Sequence, residues 1–478
     1  MRIAIVGCGY VGLVAAACFA ELGHDVICVD NDREKIAALN NGILPIHEVF
    51  LPELVQRHRG RRLAFSDDLS SAVRDGQVVF IAVGTPQSEN GEADLSYFEG
   101  AVREIAHSLQ GDPKIIVEKS TVPVYTSEWI RLILAREGAE ASSFEVASNP
   151  EFLREGTAVA DFLYPDRIVI GADSERTCEV MRHLYEPLTS GTYPRAASAL
   201  PGPASAVSPP RLIITSTKSA ELIKHASNAF LAMKLSFVNS VANVCESVGA
   251  DIEQVCEAVG ADSRIGPRFM KPGIGYGGSC FPKDLLAFGA LARAHGCELR
   301  LLDEVARIND EQRQVFLKKV RNALWTLKGK RLAALGLAFK GGTDDIRESP
   351  AVHIVNSLHR EGATVVAYDP AAMDRARQAL PPAISFAQAA YDAAQGADAL
   401  LILTDWEEFA ALDLDRLRRT LRHPIVIDGR NLYSPHLMLA KGFTYASIGR
   451  AQVSPISPPS ALPARGALTP GPRPAANP

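Results

Sequence analysis

The sequence carries no surplus of positive charge: Lys+Arg number 50 against Asp+Glu 55, a net charge of -5 over 478 residues. Without a basic footprint there is no electrostatic case for nucleic acid or an anionic membrane surface as partner. No apolar run approaches the roughly 18 residues of a spanning helix. The N-terminus passes from an apolar stretch at 3–6 straight into glycines, which reads as a buried first strand and not as a signal peptide. The 8 cysteines include no CxxC pair and no Cys/His ligand spacing, which removes a disulfide scaffold and a structural zinc from consideration. No metal is expected, and a reducing cytoplasm is the simplest compartment.

At roughly 150 residues per domain the length suggests about three domains. Short β-type runs at 2–6, 25–29, 78–83, 114–117 and 167–170 alternate with helical stretches, the pattern of parallel βαβ units. Residues 193–210 then turn to Pro, Ala and Ser, a composition that holds neither helix nor ladder and predicts a flexible surface insertion. From 217 to 248 the chain runs about nine helical turns without Gly or Pro, long enough for a spine between domains. A second βαβ series starts at Arg331, with a helix opening at Ser349-Pro350 and strands at 364–368, 399–403 and 424–427. The expected class is α/β, two doubly wound Rossmann-like domains joined by a long central helix. The divisions are 1–192, the insertion 193–210, a central helical region 211–328, 329–450, and a Pro-rich tail 451–478 predicted to be disordered.

The first strand enters Gly7-Cys8-Gly9-Tyr10-Val11-Gly12 and then a helix. In such a turn one glycine permits the tight bend, the next lets backbone approach a pyrophosphate, and the third lets helix pack on strand. The helix start offers free N–H groups and the positive end of its dipole to the anion. Asp30 closes the second strand 23 residues after Gly7, where a carboxylate accepts from ribose hydroxyls and repels a 2′-phosphate. NAD is therefore favoured over NADP, with Arg33 and Lys35 close by.

The stretch from Gly273 to Asp284 carries four glycines, then Cys280-Phe281-Pro282-Lys283-Asp284. Proline is well tolerated at a helix's first position, so Cys280 falls at a helix start beside Lys283, where a thiolate is expected to be stabilised. Asp284 returns to the same face at i+4. The other seven cysteines read as ordinary buried thiols. Lys224 and Asn228 share one face of the spine helix, either a proton-transfer pair in apolar company or a solvated face; His225 reads as structural or surface. Glu151 and Glu155, four apart beside Arg154 at a strand end, are either acid/base groups or a capped helix start, and Thr121 offers a hydroxyl at another strand end. The loop from Phe339 to Ser349 lacks GxGxxG, leaving Lys340 and Arg347 to bring charge to a diphosphate.

Assembled, GYGGSCFPKD, NPEFLREGTA, the Lys224/Asn228 helix and FKGGTDDIRES make the sequence resemble the UDP-glucose/GDP-mannose dehydrogenase family over about residues 1–450, leaving out the insertion and the tail. The resemblance implies NAD-dependent, metal-free, four-electron oxidation of a sugar-nucleotide primary alcohol, UDP-glucose to UDP-glucuronate first among the options. GDP-mannose or an N-acetylated UDP-hexosamine stays open as substrate. So do a two-electron β-hydroxyacid dehydrogenase and an NAD-sensing interaction protein. By matching position, Cys280 becomes the nucleophile that forms a thiohemiacetal and a thioester. Lys224, Asn228 and Asp284 handle proton and oxyanion, directly or through a water held with Thr121, and Glu151 serves thioester hydrolysis. Gly7, Gly9, Tyr10, Val11, Gly12, Asp30, Lys35, Thr85, Thr121, Glu155, Lys283 and Arg347 face the cofactor. Phe152, Leu153, Arg154, Glu155, Tyr276, Gly277, Lys340 and Arg430 join Glu151, Lys224 and Asn228 around the substrate. The resemblance also implies a homodimer or higher homo-oligomer built on the central helix, across which Arg264 reaches the partner's substrate.

Overall fold

A computed structural model describes residues 1–86, 93–193 and 208–455. The first sheet has eight strands: β1 (Arg2–Val6), β2 (Asp25–Val29), β3 (Leu63–Ser66), β4 (Val78–Ile81), β5 (Lys114–Glu118), β6 (Phe144–Ser148), β7 (Arg167–Ala172) and β8 (Arg211–Thr215), in spatial order β3-β2-β1-β4-β5-β6-β7-β8. β1, β4 and β5 are near-continuous apolar runs buried along their length, as expected of parallel strands covered by helices on both faces. Separate apolar clusters fill the two faces, one around Ile5, Phe19 and Phe80, the other around Ile81, Val102 and Ile116.

Two features depart from the sequence expectation. β6 and β7 run antiparallel, and residues 211–215 pair with β7 from Arg167↔Arg211 onward, so they complete the first sheet instead of opening the central region. Pairing across an intervening segment leaves no local pattern, and the Pro-rich composition before it drew the expected boundary. The expectations for 194–207 and 456–478 fall outside the described residues. Residues 451–455, expected as the start of a disordered tail, are held: Val453 exchanges backbone hydrogen bonds with Tyr445 at 2.8 and 3.0 Å.

The spine is the helix Thr217–Val248, 32 residues, about 48 Å at 1.5 Å per residue. The Ser216 hydroxyl accepts from Ser219 N at its start, and Gly249, at φ 76°, closes it. It packs against the helices Phe281–Ala294 and Arg300–Leu324. The second sheet is parallel throughout: β9 (Arg331–Leu335), β10 (Thr364–Tyr368), β11 (Ser385–Phe386), β12 (Ala399–Ile402), β13 (Ile425–Asp428) and β14 (Thr444–Ser447), in spatial order β11-β10-β9-β12-β13-β14. Its core is continuous with Val238, Ala242 and Cys245 of the spine. In each sheet the strand order reverses beside the first strand, which puts a ligand crevice at the carboxyl ends there.

Candidate active site

The Gly7–Gly12 turn is packed to its limit. A Cβ on Gly7 would lie 2.7 Å from Ala82 O, and one on Gly12 only 1.8 Å from Gly7 O. A Cβ on Gly9 would meet nothing within 4 Å. The helix that follows begins at Tyr10 with no side chain capping its first N–H groups, so the turn retains what a pyrophosphate needs: close backbone approach and free donors. Asp30 accepts from Cys8 N at 2.8 Å and from Lys35 Nζ at 3.0 Å, which fixes its carboxylate at the end of β2. The residues present fit a dinucleotide. The Tyr10 hydroxyl binds Glu48, whose carboxylate also accepts from Gly156 N at 2.7 Å and Ala158 N at 2.8 Å, so this side chain braces two loops.

Cys280 precedes the helix Phe281–Ala294, and Asp284 N donates to its carbonyl at 2.9 Å. The expected lowering of the thiol is reversed. Burial, with Glu151 and Asp284 adding to it against Lys224, holds the Cys280 thiol above its usual range. Lys283 instead reaches Thr85 Oγ1 at 3.0 Å and lies 3.6 Å from Asp284 Oδ1; the cation that favours the thiolate is Lys224. Of the remaining cysteines Cys297 is exposed and the rest are buried.

Lys224 and Asn228 are buried at 4% and 7% exposure, which excludes the solvated-face alternative. Lys224 Nζ donates to Glu151 Oε1 at 2.7 Å. Burial alone would depress this lysine, but Glu151, Cys280 and Asp284 outweigh it and hold its ammonium above the ordinary value. Glu151 is likewise pushed up by burial, yet Lys224 carries it below the usual carboxylate range, and its Oε2 accepts from Leu153 N at 2.6 Å. Lys224 and Glu151 therefore form an ion pair. Asn228 Nδ2 donates to Asp284 Oδ2 at 2.6 Å, while Asp284 Oδ1, buried, has no hydrogen-bond partner among the described residues. His225 is buried too, with Nε2 at 2.8 Å from Val122 O. Thr85 donates to Thr121 O at 2.9 Å, which brings Thr85, Thr121 and Lys283 together beside this group.

A cleft of about 1210 Å³ opens over Lys224, Asn228 and Cys280. Phe152, Leu153, Arg154, Glu155, Lys224, Asn228, Tyr276, Gly277, Cys280, Lys340 and Arg430 line it, drawn from both sheets and the spine. The glycine run faces the second sheet's domain: a Cβ on Gly277 would lie 2.2 Å from Glu348 O, and Gly278 N donates to Arg347 O at 2.9 Å. Arg154 turns its guanidinium to Asp161 at 2.5 Å. Arg347 forks onto Asp345 at 2.7 Å and reaches Glu155 at 3.3 Å. Burial and the neighbouring Asp345 push Glu155 up to about 7. Arg430 donates to Leu403 O and Phe339 O, both at 2.9 Å, and burial lowers Lys340. Arg264 stands apart from the cleft, exposed and paired with Asp262 at 2.6 Å.

Sequence reasoning missed Arg167, Phe269 and Lys271, all in the cleft wall. Arg167, at the start of β7, lies 3.9 Å from the Phe152 ring centroid. Lys271, two residues before the glycine run, was the one that position alone could have raised.

Among the described residues no helix is long and apolar enough to cross a membrane, and no group of three or more His, Cys, Asp or Glu is placed to hold a metal ion. UDP-glucose 6-dehydrogenase of Rhizobium meliloti (strain 1021) is 47% identical over 455 residues, 94% of this chain and 100% of that protein. UDP-glucose 6-dehydrogenase TuaD of Bacillus subtilis (strain 168) is 43% identical over 458 residues, 96% and 95% of the two chains. A solved UDP-glucose dehydrogenase from Pyrobaculum islandicum superposes with a TM-score of 0.83 at 36% identity, covering 94% of this chain and 98% of that one. The NAD binding, central and UDP binding domains of one family match residues 1–189, 218–311 and 333–435 in turn. With a dinucleotide cradle, a buried Lys–Glu–Asp group beside a half-buried cysteine, and a cleft between two nucleotide-type sheets following one another in that same order, the chain belongs to the UDP-glucose/GDP-mannose dehydrogenase family of NAD-dependent oxidoreductases.

Proposed function

We propose that the chain oxidises UDP-glucose to UDP-glucuronate through a thiohemiacetal and a thioester on Cys280. The observation that carries the reading is that Cys280, Lys224 and Asn228 line one cleft, with Glu151 bonded to Lys224 and Asp284 to Asn228 behind them, together with the names of the relatives that span nearly the whole chain. Bound NAD supplies the hydride acceptor for each of two oxidations.

The chain's own residues do the rest. Asp284 Oδ1, the acceptor left without a donor, takes a hydrogen bond from the substrate hydroxyl or from a water that carries its proton away. Lys224 holds its ammonium toward the oxygen on which charge develops, and Asn228, steadied by Asp284, adds a neutral donor. As the alcohol proton leaves, the alcohol carbon gives up hydride and becomes an aldehyde; the Cys280 sulfur bonds to the aldehyde carbon while its proton passes to the carbonyl oxygen, and the thiohemiacetal then loses hydride from carbon and that hydroxyl proton to leave a thioester. Glu151 accepts a proton from the water that cleaves the thioester, which frees the carboxylate and the thiol. The balance is one alcohol, two NAD and one water in, one carboxylate, two NADH and three protons out. Lys340 and Arg430 face the diphosphate from the second sheet, where side-chain charge replaces a glycine cradle.

A homodimer on the spine helix accompanies this reading. Phe230, Phe237 and Val244 stand exposed at seven-residue spacing along it, and in this reading Arg264, outside its own cleft, serves the partner's. The deciding measurement is NADH yield with product mass over a panel of UDP- and GDP-sugars. Two NADH per UDP-glucose with a glucuronate product is expected; one NADH, or a stronger response to another sugar nucleotide, overturns the assignment.

A further inference from the structure

One buried charge has no part in the steps above. Lys119 follows β5 with 3% exposure, and among the described residues it makes no salt bridge. Its Nζ donates to Asn149 Oδ1 at 3.0 Å and approaches Asn149 O at 3.5 Å. The rings of Phe80 and Phe162 flank it, centroids 5.9 and 5.8 Å away. An ammonium buried among neutral groups is costly unless nearby charge offsets it. Burial draws Lys119 down to about 8, against the attraction of Glu151 and with the repulsion of Lys224.

Its place in the chain explains the arrangement. Asn149 is held on every side: its N–H donates to Glu118 O at 2.9 Å, Nδ2 donates to Val169 O at 2.8 Å, and the Tyr185 hydroxyl donates to Oδ1 at 2.5 Å. Two residues later comes Glu151. Glu151 thus faces Lys224 from the spine, Cys280 from the start of the cysteine helix, and Lys119 from behind its own turn. Lys119 in turn faces Cys18 of the first helix. When Lys224 turns toward a substrate oxygen, Glu151 loses the cation bonded to it among the described residues, and the second lysine remains.

We propose that Lys119 is a positioning residue for Glu151: its ammonium fastens the Asn149–Glu151 turn and supplies the second positive charge facing the Glu151 carboxylate. The inference rests on the part given above to Glu151 in hydrolysis. In the full chain, kcat and KM for UDP-glucose are followed against pH for Lys119→Met, Lys119→Gln, Lys119→Arg, Glu151→Gln and Glu151→Gln combined with Lys119→Met. Lys119→Gln removes the charge and retains an N–H donor on a side chain one atom shorter, which separates charge from packing if the Met variant folds poorly. Loss of the charge is expected to move the acidic limb of kcat upward by about one pH unit, about tenfold in kcat at its foot, with KM within about twofold and the limb retained in Lys119→Arg. In the Glu151→Gln background the added Lys119→Met is expected to change kcat by less than about twofold. A folded Lys119→Gln with the unmodified limb, or a Lys119→Met cost as large without Glu151 as with it, overturns the proposal. Undiminished turnover in Glu151→Gln alone would instead overturn the role of Glu151.

Discussion

Cys280 stands where a helix begins, a position that ordinarily favours thiolate, yet its environment runs the other way. Burial is the larger influence, and the carboxylates of Glu151 and Asp284 reinforce it against Lys224. The reactive form therefore grows as pH rises through a range above that of an ordinary thiol. Alkylation of Cys280 by iodoacetamide, read from the mass of its peptide, is expected to climb from neutral into alkaline solution without levelling below pH 8. Lys224→Met, which removes the opposing cation, is expected to slow it about tenfold at a given pH, as roughly one pH unit of displacement requires. Cys280→Ser is expected to end formation of the acid while leaving NAD binding intact; acid formed at the original rate would remove the covalent step. The motif made Cys280, Lys224 and Asn228 legible in the sequence. The direction of the Cys280 and Lys224 shifts was not, because both depend on Glu151, 73 positions from Lys224.

At the scale of elements the two glycine stretches separate by what presses on them. Gly12 is closed by the Gly7 carbonyl in its own turn, a contact the spacing of the motif already implies. Gly277 is closed by Glu348 of the other domain, a contact no local pattern announces. Gly12→Ala is expected to lose about 1–3 kcal/mol of stability, seen as a lower melting temperature, and to weaken NAD in a fluorescence titration. Gly277→Ala is expected to weaken UDP-glucose while leaving NAD titration near its original value, since the displaced loop belongs to the sugar-nucleotide side; equal loss of both would contradict that division. The strands at 25–29 and 364–368 and the whole spine helix matched their sequence patterns, since a buried run or a 32-residue helix without Gly or Pro states its own conformation. β8 and the antiparallel β6–β7 pair were not legible, because direction and partnership are set by what else is available to pair.

Over the whole molecule, Glu155 is a group through which pH is expected to act on the contact between the two sheet domains. It faces Arg347 and Thr343 of the second domain at 3.3 and 3.4 Å, and burial and Asp345 raise it from 4.5 to about 7. A carboxyl raised in the folded state binds its proton more tightly there than in the unfolded chain. Stability from this group is therefore full below about 4.5 and is lost as pH climbs toward about 7. Asp345, drawn below its usual range chiefly by Arg347 despite its burial, acts in the opposite sense and below pH 4, outside this window. Denaturant midpoints at pH 5, 6, 7 and 8 are expected to fall across the series and then flatten, and Glu155→Gln is expected to remove most of that slope. A slope unchanged by the substitution would assign the effect to other groups.

Chain order and near-neighbour spacing were enough to establish the alternation of strand and helix, the Gly7–Gly12 cradle, the i, i+4 pair of Lys224 and Asn228, and the cysteine at a helix start. Each of these is a property of a few consecutive residues, whose conformation follows from side-chain sterics and backbone hydrogen bonding close at hand. Folding alone decided that Lys224 is an ion pair with Glu151, that the Cys280 thiol is pushed above its ordinary range, that Lys283 turns to Thr85, and that Lys119 lies buried behind Glu151. Charge state depends on solvent exclusion and on the sum of distant charges, and both come into being only when segments far apart in the chain close on one another.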